Sequence, residues 1–278
     1  MCILFFDFQP TSEASDYRFI LASNRDEYFN RPTDLVNFWD DNSSICAGRD
    51  RHPVRGGGTW LGVSTTGRVA TLTNVRVCNS DINYSAPSRG NLVSNYLLGK
   101  AGTTEDYCAN LIATGDQYNL YNLLMTDFSI SDAKMMYYTN QKNGGVVTIS
   151  PGIYGLSNAR LDSPWKKLLY GKEKFTSIVK TPNISKSDLT EGLLDLLGDT
   201  TRFYPDPNLP DTKWDDVSME NLSAICGHIP GYGTRTHSVI LIDKHNHVTY
   251  VEKTLTNPED PQLPSSTKSI EFDFCTKS

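Results

Sequence analysis

The feature that most restricts what this chain can fold into is that its strand-like segments come in neighbouring pairs. "ILFFDF" (3–8) and "YRFILAS" (17–23) are dense in aromatic and branched side chains and are separated by the polar loop 9–16. "TWLGVS" and "VATLTN" flank Thr65-Thr66-Gly67-Arg68, and "KMMYYTN" and "GGVVTIS" meet around Gly144-Gly145. "TRTHSVILID" and "HVTYVEK" enclose a turn at His245-Asn246, and "SIEFDFC" supplies a last strand. Such runs joined by short, turn-rich links form hairpins, so adjacent strands should run antiparallel. Helical patterning appears at 104–114, ahead of the strand candidate "YNLLMTDF", and in a central block. There 163–180 opens with Ser163 as N-cap and Pro164 at the first helical position, and 187–197 starts from Ser187 or Asp188. The proline-containing stretch 203–215 is expected to be a surface loop. Paired strands with segregated helices specify an α+β fold and not βαβ units. With no repeats and no low-complexity linker, one domain over 1–278 is expected.

Composition narrows the function classes. Hydrophobic residues make up 38% and charged residues 21%, enough for a sizeable core. The net charge of −6 disfavours nucleic acid as a partner, because a basic face supplies most of that affinity. Six cysteines lie at 2, 46, 78, 108, 226 and 275 with no C-x-x-C pair, which reads as reduced thiols and not a disulfide framework. No run approaches the ~20 apolar residues of a membrane span. Asp7 interrupts the first apolar run too early for a secretory signal. A soluble, cytoplasmic protein is the expectation.

A crowded polar stretch, "SNRDEYFNRP" (23–32), follows the apolar run "FILA" directly. If 3–8 pairs with 17–23 so that Phe8 faces Tyr17, opposed positions sum to about 25, with a slack of two residues. Cys2 then lies opposite Ser23, beside Asn24, Arg25, Asp26 and Glu27. With Met1 trimmed, Cys2 would carry nucleophile and base together, since an α-amine of pKa near ~8 can relay the thiol proton. Arg25 would favour the thiolate, Asp26 could orient the amine, and asparagine amides could hold an oxyanion. The competing reading is a capped, salt-bridged strand end with a buried cysteine.

Nine of the twelve arginines fall in the first ninety residues, and the first lysine is Lys100. Arginine grips carboxylates and phosphates bidentately, so a pocket for an anionic ligand is one explanation. Ten Asp and Glu in the same ninety residues offer the other, internal ion pairing. "RGGGTWLG" (55–62) lacks the Lys-Ser/Thr and the following helix of a phosphate loop. Its glycines are expected to serve a tight turn or close backbone approach to a ligand. Trp60 is either pocket wall or core. Asn74, Asn158 and Arg235 each sit at a strand boundary near glycine, where sites and turns both occur. His245 and His247 read as a solvated turn, and no metal motif is present.

"MCILFF", "LASNRDEYFNRP", "GGGTWLGVSTTGRVATLTN", "GIYGLSNARLDSPWKK" and "PGYGTRTHSVILID" resemble, in order and spacing, the NRDE family, also called the transport and Golgi organisation protein 2 family. The resemblance implies a four-layer αββα sandwich like that of N-terminal-nucleophile hydrolases. It also implies roles in moving haem from organelles of synthesis or storage, in lipid and acyl-coenzyme A homeostasis, and in Golgi organisation and secretion, in cytoplasm with mitochondrial or Golgi association. More distantly, the chain is similar to cysteine amidohydrolases of bile-acid conjugates and penicillin V. That similarity implies a catalytic set of Cys2, Arg25, Asp26, Asn74, Asn158 and Arg235. Arg25 and Asp26 are adjacent here, and neighbouring strand residues point to opposite faces. The leading expectation is therefore a carrier that receives haem as a transported ligand in a pocket of Asn24, Arg25, Asp26, Glu27, Arg31 and Trp60. An acyl-coenzyme A or lipid-binding protein, and a cysteine amidohydrolase or thioesterase using Cys2, are the alternatives. No metal and no catalytic cofactor are expected.

Overall fold

The computed structural model describes residues 2–11, 16–100, 102–210, 215–256 and 265–275. Its strands are β1 (Ile3–Phe8), β2 (Tyr17–Tyr28), β3 (Thr33–Trp39), β4 (Asn42–Asp50), β5 (Leu61–Ser64), β6 (Arg68–Asn74), β7 (Tyr121–Asp127), β8 (Met135–Thr139), β9 (Gly145–Ile149), β10 (Gly152–Leu156), β11 (His228–Ile229), β12 (Tyr232–Asp243), β13 (His247–Leu255) and β14 (Ser265–Asp273). Its helices are α1 (Gly90–Leu97), α2 (Thr104–Thr114), α3 (Lys166–Val179), α4 (Lys186–Leu197) and α5 (Asp216–Asn221). The strands form two antiparallel seven-stranded sheets. One runs β10-β1-β2-β12-β13-β14, with β11 paired to β12, and the other runs β3 to β9 in sequence order.

Alternation along the strands divides the core into three apolar layers. Leu4, Phe6, Leu21, Ile240 and Tyr250 of the first sheet meet Leu61, Val63, Val69, Leu124 and Tyr137 of the second. Ile3, Phe5, Ala22, Val239 and Leu241 turn the other way, onto Leu168, Phe175, Leu189 and Leu193 of α3 and α4. The far face of the second sheet packs Ala70, Leu123 and Met125 against Val93, Tyr96, Tyr107 and Leu111 of α1 and α2. The order of layers is therefore αββα. A strand buried on both faces needs apolar residues at successive positions, which is why "ILFF" reads as an unbroken run, and Asp7 falls at the one β1 position that is only half-buried.

Four local expectations are corrected. Phe8 pairs with Phe19 and Ile3 with Asn24, so opposed positions sum to 27. The reason is that pairing continues past the strand end, with Gln9 N–H donating to Arg18 O at 2.9 Å, while Tyr17 pairs instead with Asp243 on β12. A two-residue slide keeps every side chain on its face. Helix α3 begins at Lys166, after Ser163 and Pro164, because its first turn is satisfied from a distance: Lys166 N–H donates to Asp206 Oδ2 at 2.7 Å. Asp206 is buried, so the 203–215 segment is partly structural and not only a surface loop. Helix α4 is capped by Ser185, whose Oγ accepts from Asp188 N–H at 3.0 Å, and not by Ser187 or Asp188. Parts of the 9–16 and 203–215 loops lie outside the described residues.

Candidate functional site

Strand β2 carries the polar quartet through to Tyr28 without turning. It stays paired to β12 as far as Tyr28 opposite Tyr232, with a bulge on the β12 side between Thr234 and Thr236. The quartet is therefore dealt to opposite faces. Arg25 points between the sheets, stacking on Trp60 at 4.1 Å and donating to Thr33 Oγ1 at 3.1 Å. Asn24 points to the helical layer. Its amide donates to Leu197 O and Ile225 O at 2.8 and 3.0 Å, and its oxygen lies 2.6 Å from His237 Nδ1. Asp26 accepts a hydrogen bond from Thr234 Oγ1 at 2.8 Å.

At the end of β1 the half-buried Cys2 meets this strand. Its Sγ lies 3.8 Å from the Asp26 carbonyl oxygen, and its own carbonyl accepts from Ser157 Oγ at 2.9 Å. Burial pushes the Cys2 thiol above its ordinary range, and Arg25 opposes that rise only weakly. The resting group is accordingly a thiol and not a thiolate.

Cys2 opens onto a cleft between the sheet ends. One cavity, of about 150 Å³, is lined by Cys2, Arg25, Asp26, Glu27, Arg31, Asp50, Arg55, Trp60, Leu72, Asn74 and Arg89, among others. An adjoining cavity of about 270 Å³ shares Cys2, Asp26, Glu27, Arg31, Asn74 and Arg89 and adds Arg76, Asn158 and Tyr232. Outside them a groove of about 660 Å³ runs past Arg31 and Arg55 between Tyr28, Val54 and Tyr84.

Two hydrogen-bonded seams tie the sheets together on either flank. On one, Asn158 Nδ2 donates to Asn74 O at 2.6 Å, Thr73 Oγ1 to Ser157 O at 2.7 Å and Arg76 N–H to Asn158 O at 2.8 Å. On the other, Arg25 reaches Thr33, and Val36 N–H donates to Glu252 Oε1 at 3.0 Å. The glycine loop helps to close the floor. Gly57 takes a left-handed φ of 96°. A Cβ on Gly58 would come within 2.4 Å of the Gly90 carbonyl carbon, so the loop's close approach is to the start of α1.

Of the residues singled out from sequence, Cys2, Arg25, Asp26, Glu27, Arg31, Trp60, Asn74 and Asn158 gather around this cleft. Trp60 is one of its walls. Asn24 does not line it, because its amide is held on the helical side of the sheet by Leu197 O and Ile225 O. Arg235 does not line it either. Its Nη1 donates to Tyr28 O and Arg31 O at 2.9 and 2.6 Å, bracing the turn after β2. Sequence reasoning did not single out Arg55 and Arg89, although the arginine bias pointed to them, nor Thr234 and Lys167. Lys167 is 2% exposed, donates to Leu222 O and Ala224 O at 2.9 and 3.1 Å, and burial lowers its pKa to about 8 against the pull of Asp26. Nothing in "SPWKKLL" separates it from its solvent-facing neighbour. No group of metal-ligating side chains occurs among the described residues.

Fold and site together define a class: an αββα sandwich whose second residue, a cysteine, faces an arginine-lined cleft between the sheets. The chain belongs to the Transport and Golgi organisation 2 family, whose profile matches residues 1–257. It is 38% identical over 260 residues to the Homo sapiens Transport and Golgi organization protein 2 homolog, covering 92% of this chain and 93% of that protein. The Drosophila melanogaster Transport and Golgi organization protein 2 is 30% identical over 286 residues, 99% of each. Among solved structures, penicillin V acylase from Agrobacterium tumefaciens aligns with a TM-score of 0.48 and 13% identity over 98% of this chain and 86% of that one. A conjugated bile acid hydrolase variant from Clostridium perfringens aligns with a TM-score of 0.39 and 12% identity, over 99% and 98%.

Proposed function

We propose that this chain is a haem carrier, taking up the anionic macrocycle in the Cys2 cleft and handing it on, within the transport and Golgi-organising setting that its relatives' names describe. The observation that carries this reading is the lining itself: four guanidinium groups, from Arg25, Arg31, Arg55 and Arg89, beside the faces of Trp60 and Leu72. Guanidinium forks suit carboxylates such as propionates, and apolar walls suit a flat ring. Ligand pockets typically run to ~300–1,000 Å³. The inner cavities are small on that scale, so the macrocycle would extend into the outer groove of about 660 Å³. The Cys2 thiol is the soft donor facing the cleft. A thiol kept protonated by burial binds iron weakly, which suits a protein that must let go. A cytoplasmic carrier visiting mitochondria or Golgi, with a link to lipid homeostasis, is the cellular form of this proposal. Hemin titration followed at the Soret band tests it: Arg25→Ala should weaken binding severalfold, and unchanged affinity would overturn the pocket assignment.

A second reading keeps the same cleft and makes it catalytic. Its support is the grouping of Cys2, Asp26 and Asn158 at the joint between the sheets. With Met1 removed, the α-amine would take the thiol proton, the thiolate would attack an amide or thioester carbonyl, and an asparagine amide would stabilise the oxyanion. Collapse would then break the C–N or C–S bond, the leaving amine or thiol taking the proton back from the α-ammonium and the acyl group staying on Cys2. Mass spectrometry decides: a retained Met1 excludes this route, and an acyl adduct on Cys2 supports it. Acyl-coenzyme A is the alternative cargo, and its competition with hemin for one site would show that both use this cleft.

A further inference from the structure

The arginines of the cleft divide by what already neutralises them. Arg31 is bidentate on Asp50, at 2.6 and 3.1 Å, and lies 3.6 Å from Glu27. Arg25 reaches Glu27 at 3.8 Å and is stacked on Trp60. Arg55 and Arg89 meet no carboxylate among the described residues. Arg89 Nη1 donates to the Leu120 carbonyl at 2.9 Å, and the Arg55 guanidinium makes no hydrogen bond to a described residue.

These two are also held near one another. The loop that follows Arg55 lies on the residue that follows Arg89, because Gly58 and Gly90 touch through bare backbone. Burial lowers Arg89 to about 10; Glu27 pulls the other way, and Arg55 adds a smaller repulsion. Two like charges face one cavity; Asp26, Glu27 and Asp50 line it too, but none forms an ion pair with either guanidinium, so a multi-oxygen anion placed between the two would relieve their repulsion. Ser88 and Gly90, at the start of α1, line the same corner.

We propose that Arg55 and Arg89 form a dedicated oxyanion subsite that fixes the charged end of the ligand, a carboxylate or a phosphate, so that its apolar body leaves along the outer groove. Arg55 belongs to both the cleft and that groove, where Tyr28, Val54 and Tyr84 are 60, 86 and 68% exposed. This deepens the carrier reading and rests on it for the identity of the cargo, but not for the existence of the subsite.

Calorimetric titrations with hemin and, separately, with inorganic pyrophosphate at fixed ionic strength test it, on wild type, Arg55→Gln, Arg89→Gln and Arg55→Lys. Both Gln variants should weaken whichever anion binds by about tenfold or more, and Arg55→Lys should recover part of the loss. Pyrophosphate binding that depends on both arginines assigns the subsite to phosphate, and hemin binding alone with that dependence assigns it to carboxylate. Hemin binding that both Gln variants retain in full overturns the subsite and leaves the carrier reading standing. Arginine-dependent pyrophosphate binding without hemin binding keeps the subsite and removes haem. Binding of neither probe overturns both. Melting temperatures of the variants at or above wild type establish that the folds are intact. Should a Gln variant fail to fold, Arg55→Lys carries the comparison, and hemin and pyrophosphate affinities equal to wild type in it would overturn the fork-like grip proposed here.

Discussion

Glu252 has one oxygen on Val36 N–H, at 3.0 Å, while its other oxygen is buried without a hydrogen-bond partner. Burial raises its pKa to about 7, against smaller opposing pulls from Arg25 and Lys268. A carboxyl whose folded pKa lies above its unfolded one holds its proton more tightly when folded. Its contribution is therefore undiminished below the unfolded value near ~4.3, erodes as pH rises towards 7 and is level beyond. Glu252→Gln should flatten that part of the pH–stability curve, worth roughly 3–4 kcal/mol at its limit. Urea denaturation of both proteins from pH 5 to 8 checks this, and parallel curves would contradict it. His237 has the opposite sign. Burial lowers it to about 4, so the stability it brings is complete above ~6.5 and is lost as pH falls towards 4. Asn24, its partner, belongs to the same buried network. Asn24→Ala should cost ~2 kcal/mol or more by leaving Leu197 O, Ile225 O and His237 unsatisfied, with hemin affinity unchanged because the residue lies outside the cleft. Loss of binding in a folded Asn24→Ala protein would count against that separation.

Individual elements differ in how much of them their own residues disclose. The four hairpins announce themselves, since each places apolar runs on both sides of a turn. Strands β3 and β4 do not: "TDLVNFW" exposes much of one face, and "NSSICAGRD" is rich in residues that strands disfavour. Pairing of β4 to β5, and of β3 to β4, holds them in place, and that information is not local. Helix α1 has no side-chain cap hydrogen bond at Arg89 and spans only eight residues, so no start signal exists to be read. The seating of the glycine loop on α1 gives the element-scale prediction. Gly58→Ala should lower the melting temperature and weaken anion binding together, because a Cβ there meets the Gly90 backbone at 2.4 Å. Retention of both properties would show that the loop can move aside. The same logic made the Cys2–Arg25 meeting legible while the register was not. Parity depends only on the hydrophobic pattern, whereas the two-residue slide depends on which strand claims Tyr17.

At the scale of the whole molecule, the αββα order could be anticipated by resemblance but not by periodicity, because no local pattern says which sheet a helix will cover. The cleft exists only once both sheets are in place. Cys2 and Arg25 come from one, and Trp60 and Asn74 border the other. A ligand held there binds the folded chain and not the unfolded one, so hemin at a hundred times its Kd should add about 2.7 kcal/mol to stability, read as a rise in melting temperature. The rise should shrink in Arg25→Ala and persist in Asn24→Ala.

The seams that join Asn74 to Asn158 and Thr33 to Arg25 have a mechanical corollary. A jaw needs one side left loose, and this opening is laced on both. Its geometry is that of a window in a frame, with both edges of the opening tied, so admission would be governed by the shape of the guest and by rotation of the side chains that shutter it. A bulky cargo would have to pass edge-on, and discrimination among flat, bent and branched guests would be built into the frame before any chemical contact is made.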